Sequence, residues 1–434
     1  LRNALKIEDI RKKLIFTFLM LVVVRFGSQL PIPGANRDYF QAWFAQQTGD
    51  AFNFFDAFTG GSFTSMSLFA LGITPYITSS IIVQLLTIAI PKLEEMQKDG
   101  EDGRKKIQTI SRYLTVALAL IESIAMTVGF GSRGLLAANT IPNKIVVIAA
   151  MTAGSAFLMW IGEEITEHGV GNGISIVLLI NIVSRIPDDF VTLFDQFMKG
   201  QTILNAVVAA VVIIAVVLVT VVFVIFLQDG ERRIPVQYAK KMQGRKMVGG
   251  QSTNIPLKVN TAGVIPVIFA SSLMSFPNVI ASLLGKTGGT GIGSRIMTGL
   301  SQSSWCDPSR PIYSLGLVLY IVLVVFFAYF YTSITFNPIE ISNNMKRQGG
   351  FIPGIRPGKP TTEYLSRILN YIVFIGAVGL IIVCVIPIFF NGMFGANVSF
   401  GGTSIIIIVG VVLETLKQIE SQMLLRYYKG FLND

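Results

Sequence analysis

The apolar positions of this chain fall in long blocks separated by short polar runs. A membrane-spanning helix needs about 20 largely apolar residues. Ten stretches fit: 14–30, 73–91, 113–130, 145–162, 173–186, 203–227, 260–284, 313–336, 368–390 and 403–420. The fifth and tenth are short and carry polar residues. The first follows Arg11-Lys12-Lys13, as a secretory leader would. No small-x-small cleavage site comes after it and Pro31-Ile32-Pro33-Gly34 closes it, so it reads as a retained helix.

Two of these blocks open alike. Gly72-Ile73-Thr74-Pro75-Tyr76-Ile77 is echoed by Gly263-Val264-Ile265-Pro266-Val267-Ile268, and a Ser pair follows each, Ser79-Ser80 and Ser271-Ser272. Each opens the second span of a five-span half. Matched, interrupted segments in two halves point to a transport path between them. The expected fold is an all-α membrane protein of ten transmembrane helices in two pseudo-symmetric halves, 1–202 and 203–434.

Just before the second span lies an apolar, uncharged run bounded by glycines: Gly60, Gly61, Ser62, Phe63, Thr64, Ser65, Met66, Ser67, Leu68, Phe69, Ala70, Leu71 and Gly72. As a helix, residues 62–71 reach about 15 Å, half of a bilayer core of about 30 Å. The run predicts a re-entrant half-helix at 60–72, hinged at its glycines and held against protein or a water-filled cavity. It reads as a mobile stopper or as a fixed packing element.

Composition agrees with the blocks. Of 434 residues, 52% are hydrophobic and 14% charged, against roughly 25% charged in soluble proteins. Mean hydropathy is +0.62. A soluble enzyme, a disordered chain and a secreted disulfide scaffold are poor descriptions. Lys and Arg collect in cytoplasmic loops. With the N-terminus inside, about 26 of the 35 basic residues fall on the cytoplasmic side. They cluster at 2–13, 92–112, 232–258, 346–367 and in the tail, where Lys417, Arg426 and Lys429 lie. The net charge of +10 is thus mostly topology.

The motifs then converge on one family. Phe69-Ala70-Leu71-Gly72-Ile73-Thr74-Pro75-Tyr76-Ile77, Gly171-Asn172-Gly173-Ile174-Ser175 and Gln251-Ser252-Thr253 come first. Pro256-Leu257-Lys258-Val259-Asn260-Thr261-Ala262-Gly263-Val264-Ile265-Pro266, Phe351-Ile352-Pro353-Gly354-Ile355-Arg356-Pro357-Gly358 and Gly401-Gly402-Thr403-Ser404 follow. In this order, over nearly the whole chain, they resemble the SecY family of protein-conducting channels in its bacterial form.

The resemblance implies a channel that moves unfolded secretory polypeptides across the plasma membrane and releases membrane helices sideways into lipid. It implies a ring of apolar side chains at the waist of the pore: Ile73, Ile77, Ile174, Leu178, Ile268 and Ile407. The pairs Ile73/Ile77 and Ile174/Leu178 are each i,i+4 and share a helix face. Such a ring gates by dewetting. Leu178 stands where the family often has Ile, and a branched aliphatic still seals. Residues 62–71 correspond to the family's plug. The second and seventh spans form its lateral gate, where an apolar signal sequence intercalates. Thr78, Gln84, Glu122, Ser271, Ser272 and Ser275 are the polar residues near that gate. Glu122 reads as a gate hydrogen-bonding residue or as a helix contact.

Two long basic loops remain. Residues 228–258 contain Arg232, Arg233, Lys240, Lys241, Arg245 and Lys246; residues 337–367 contain Lys346, Arg347, Arg356 and Lys359. Topology asks for charge but not for loops of about 30 residues, when helix connections run about 2–8. Residues 233–238 predict an extended arm of a hairpin turning near Gly244. In the family such loops dock the SecA motor ATPase or the ribosome, and Arg356 matches the arginine tied to the motor. Small SecE-like and SecG-like membrane subunits are further implied partners. No cofactor is implied.

Other classes fit less well. A catalytic site is hard to assemble from one histidine, His168, and two cysteines, Cys306 and Cys384. Glu163-Glu164-Ile165-Thr166-Glu167-His168 lacks zinc-helix spacing, and Gly285-Lys286-Thr287 lacks the earlier glycine of a phosphate loop. Energy is expected from a partner ATPase, the ribosome or the proton-motive force. A small-solute carrier would share the spans and the repeat, but it would place polar ligands mid-membrane, where this chain has an apolar ring. A membrane scaffold would not need the plug-like run.

Overall fold

The computed structural model describes residues 7–46, 56, 58–131, 134, 136–198, 203–238, 241–243, 246–248, 252–283, 292–301, 304–306, 311–394 and 402–430. Among these, ten long helices fall on the ten apolar blocks. They are α1 (Glu8–Gly27), α3 (Thr74–Ala89), α5 (Glu101–Phe130), α6 (Ile141–His168), α7 (Gly173–Phe197), α8 (Ile203–Asp229), α9 (Ile265–Leu283), α11 (Leu315–Thr335), α13 (Lys359–Phe394) and α14 (Gly402–Gly430). Shorter helices join them: α2 (Arg37–Gln46), α4 (Pro91–Lys98), α10 (Ile292–Leu300) and α12 (Pro338–Arg347).

Five segments, Glu101–Phe130, Ile141–His168, Val207–Asp229, Pro311–Arg347 and Lys359–Phe390, could cross a membrane on length and composition alone. The pair Thr74–Thr87 and Pro91–Gln97, bent by 105°, adds a sixth. Helices α1, α7 and α14 carry charged residues along their length, which a bundle accepts where it faces protein or a cavity. Helix α8 is the opposite case. Val211, Val219 and Phe226 are all exposed on it, and a mean hydropathy of 3.5 suits that surface to lipid.

The repeated motif is also a repeated shape. Gly72 and Gly263 take φ of 58° and 62°, a region that disfavours any residue with a Cβ. Two residues after each glycine a helix begins, α3 at Thr74 and α9 at Ile265. Pro75 and Pro266 sit in the first turn, where their missing N–H costs nothing. Ile77 and Ile268 therefore occupy equivalent places.

The two basic loops fold as one unit. Strand β1 (Glu231–Tyr238) pairs antiparallel with β4 (Ser252–Lys258), from Glu231↔Lys258 to Gln237↔Ser252. Between them, β2 (Lys241–Gln243) pairs with β3 (Lys246–Val248). The extended arm expected at 233–238 is thus β1, and Gly244 lies outside the described residues. Strand β5 (Gly350–Phe351), from the second loop, pairs with the other edge of β1 at Gln237↔Phe351 and Tyr238↔Gly350. Alternation sets the faces: Ile234, Val236 and Leu257 point inward and pack with Met345, Ile352, Leu365 and Ile368.

The run at 60–72 departs from the expected helix. Its backbone from Gly60 to Ile73 is a succession of turns. Gly60, Gly61, Met66 and Gly72 all take positive φ, and each such residue interrupts a right-handed helix. The backbone bonds go elsewhere. Leu68 N–H donates to Leu30 O at 2.8 Å and Ile32 N–H to Met66 O at 3.1 Å, stapling the run to the segment that follows α1.

Candidate functional site

The six residues expected in a ring come from α3 and its entry (Ile73, Ile77), α7 (Ile174, Leu178), α9 (Ile268) and α14 (Ile407), and they meet in one apolar cluster. Ile73, Leu178 and Ile407 are buried, and Ile77, Ile174 and Ile268 are half-buried against them. Local chemistry fixes the start of α7. Asn172 caps it, its Oδ1 accepting from Ile174 N–H at 3.2 Å and Ser175 N–H at 3.3 Å. A Cβ on Gly173 would lie 2.0 Å from Gly162 O, so only glycine lets α7 turn back this tightly on α6.

On one side of the ring lies a cavity of ≈ 570 Å³. Ile77, Ile174, Leu178, Ile268 and Ile407 form its apolar floor, and Gln84, Asn172, Gln228, Lys258 and Lys417 are among its polar walls. Gln228 and Lys258 place this opening beside the strand unit. There Lys417 Nζ donates to Asp229 Oδ1 at 2.6 Å, tying α14 to the end of α8.

The turn-built run lies against the ring cluster, into which it sends Phe69, and packs Phe63, Met66, Ala70 and Leu71 beneath α5 and α6. Ser62 and Ser67 are buried, and Thr64, Ser65 and Leu68 partly so. Ser155 Oγ of α6 donates to Gly72 O at 3.1 Å. Sequence reasoning missed what else holds it. Buried Asp56 forms an ion pair with Arg185 of α7 and accepts from Thr64 N–H at 2.9 Å. Asn181 Nδ2 donates to Phe58 O at 3.2 Å, and Arg25 Nη1 to Gly60 O at 3.4 Å. The available signal was Arg185, a cation inside an apolar block.

The gate residues divide. Thr78 is half-buried on α3, Glu122 half-buried on α5, and Gln84 faces the cavity. Ser271 points away from α3. It is buried and donates to Tyr320 Oη of α11 at 3.4 Å, because α9 packs that face on α11 within a large apolar cluster. The side chains of Ser272 and Ser275 lie outside the described residues. Ser79 joins α3 to α5 by donating to Ser111 O at 2.6 Å.

The strand unit presents Arg232, Arg233, Lys346, Arg347, Arg356 and Lys359, all exposed. Arg356 sits between Gly354 and Gly358, both at positive φ, and its carbonyl accepts from Thr361 Oγ1 at 2.8 Å. Lys240 and Arg245 lie outside the described residues, as do the side chains of Lys241 and Lys246. No group of three or more His, Cys, Asp or Glu suited to a metal occurs among the described residues.

Comparison with known proteins gives this arrangement its context. The SecY family profile matches residues 67–416. Protein translocase subunit SecY of Halalkalibacterium halodurans is 43% identical over 441 residues, covering 99% of this chain and 98% of that protein. Its namesake in Streptomyces galbus is 45% identical with the same coverage. Among solved structures, one of a protein conducting channel superposes with a TM-score of 0.63 over 96% of this chain and 93% of that one, at 19% identity. Sec61 from a canine ribosome-channel complex gives 0.60 at 18% identity, with the same two coverages. The distant structures share the fold, and the close sequences fix the lineage. This multi-pass membrane chain belongs to the SecY family of protein translocase subunits.

Proposed function

We propose that the chain is the pore-forming subunit of a protein-conducting channel, passing unfolded polypeptides across a membrane and releasing apolar helices sideways. The observation that carries this is the cluster of six aliphatic side chains between a polar-walled cavity and a buried, turn-built run. Ions cannot shed water cheaply at such a ring, whereas a peptide can wedge it open because apolar contacts have no direction. Residues 60–72 act as the plug. Spans α3 and α9, which begin with the same motif, act as the lateral gate between halves 1–202 and 203–434. Thr78 and Gln84 serve that gate, and Glu122 faces it from α5.

The membrane is the bacterial plasma membrane, with both termini and the strand unit in the cytoplasm. Energy comes from outside the chain. The exposed arginines and lysines of the strand unit offer a docking surface for a SecA-like motor or a ribosome, since guanidinium groups suit carboxylates and RNA phosphates alike. SecE-like and SecG-like subunits complete the assembly.

The test is a crosslink. Place one cysteine by Ile77→Cys in a chain whose Cys306 and Cys384 are replaced, stall a cysteine-bearing precursor midway through export, and oxidise. The expected result is a disulfide adduct that requires motor and ATP. Adducts absent at Ile77, Ile268 and Ile407, together with solute uptake by the same vesicles, would identify a small-solute carrier instead.

A further inference from the structure

Two arginines converge on the run from the side of the ring away from the cavity. Asn181 and Arg185 lie three and seven residues past Leu178, about one and two turns beyond the ring on α7. A Cβ on Gly60 would sit 2.9 Å from Arg25 Nη1, and one on Gly61 would sit 3.6 Å from Arg185 Nη1. Consecutive glycines thus let the backbone pass beside two guanidinium groups. One carboxylate, that of fully buried Asp56, pairs with Arg185. Satisfaction at this seat is incomplete. Ser62 Oγ, Thr64 Oγ1, Asn181 Oδ1 and Arg185 Nε are buried without a hydrogen-bond partner among the described residues.

We propose that Arg25 and Arg185 form a carboxylate-binding collar, that Asp56 on Arg185 and the Gly60 carbonyl on Arg25 hold it as placeholders, and that its other ligand is an Asp or Glu side chain of the polypeptide in transit. This rests on the channel reading above. Removing one partner of a buried ion pair leaves an uncompensated charge, which is strongly unfavourable. Asp56 stands four residues before the run and accepts from Thr64 N–H within it, so a run that moves out draws Asp56 from Arg185 and Gly60 O from Arg25 and leaves both arginines facing the path. A passing carboxylate restores the charge pairing, and it can also reach the Arg185 Nε that Asp56 leaves without a partner. A ligand shifts a conformational equilibrium only by its differential affinity for the two states, and the collar supplies that difference. It is occupied from within when the run is seated and open to the passing chain when it is not.

The test uses the complete channel in vesicles, with the motor, and two precursors that differ only in a segment after the signal, four Glu in one and four Gln in the other. The membrane potential is collapsed, because a potential acts on charged residues by itself. The collar predicts faster export of the acidic precursor by about threefold, the scale of a solvent-screened ion pair. Arg25→Gln with Arg185→Gln should bring that ratio to one. If that pair fails to assemble, Asp56→Asn serves, and the acidic advantage should widen because the placeholder no longer competes. Equal rates in the unaltered channel, an advantage that survives loss of both arginines, or no change in Asp56→Asn overturns the collar. The Ile77→Cys adduct is scored in parallel. Adducts with equal rates sink the collar alone, whereas no adduct with either precursor sinks the channel reading and the collar with it.

Discussion

Ile77 and Ile268 make one contact from two helices. Each lies five residues past a glycine held at positive φ, and both join the cluster that holds Leu178 and Ile407. Their contribution is apolar and graded, so weakening it should loosen the seal without unfolding the bundle. Ile77→Asn with Ile268→Asn gives water two amides to bind within the proposed ring. Ion leak through single channels should rise severalfold, since a hydrophobic constriction holds by dewetting. Precursors with shortened apolar signals should also gain export. Continued rejection of weak signals in that variant would mean that the ring does not set the threshold. This contact was readable in sequence because spacing, repeat and resemblance all marked the same positions. Asp56 with Arg185 was not, because the partners stand 129 residues apart and no local period links them. The direction of Ser271 was hidden for a related reason. A serine on an apolar helix can face either neighbour, and only the packing of α9 on α11 decides.

At the scale of elements, the blocks gave ten helices and the run at 60–72 gave something else. Its apolar content was visible, and so were its bounding glycines. What composition could not show is that Met66 also adopts positive φ and that the backbone bonds reach Leu30 and Ile32. A chain pinned by turns and side-chain bonds can leave its seat as a loop, without melting a helix first. Deleting residues 62–71 removes Phe63, Met66, Phe69 and Ala70, all buried. Basal conductance of reconstituted vesicles should then rise while α3 to α7 stay folded. Conductance equal to that of the intact chain would make the run ordinary packing. The strand pairing was half legible. The pattern of residues 233–238 announced an extended arm, but its second neighbour, β5, comes from another loop and no hairpin signal points to it.

For the whole molecule, charge follows side. The basic strand unit and the polar cavity walls stand together, and the ring and the buried run lie beyond. Arg356 is exposed at the tip of a turn whose geometry is set by glycines and by Thr361. Arg356→Glu should therefore change the surface and not the fold. Motor-driven export should fall by at least about tenfold, the scale of losing a charge-paired contact of about 1.4 kcal/mol, while membrane insertion and protease resistance stay as they were. Export at the normal rate would count against a docking role for Arg356.

The joining of the two loops has a mechanical consequence. Strand β1 starts two residues after α8 ends, β4 ends seven residues before α9 begins, and β5 leads through Arg356 into α13. Val259 N–H, bonded to Gly230 O at 2.8 Å, clamps the first two of these connections together. Span α11 enters the same unit through α12, which ends three residues before β5, so the strand unit is a handle attached to four spans at once. A partner that grips the handle and tilts it applies torque to α8, α9, α11 and α13 in concert, and α9 carries Ile268. Force applied to the strand unit thus has a short covalent route, residues 259–264, to the helix that carries Ile268.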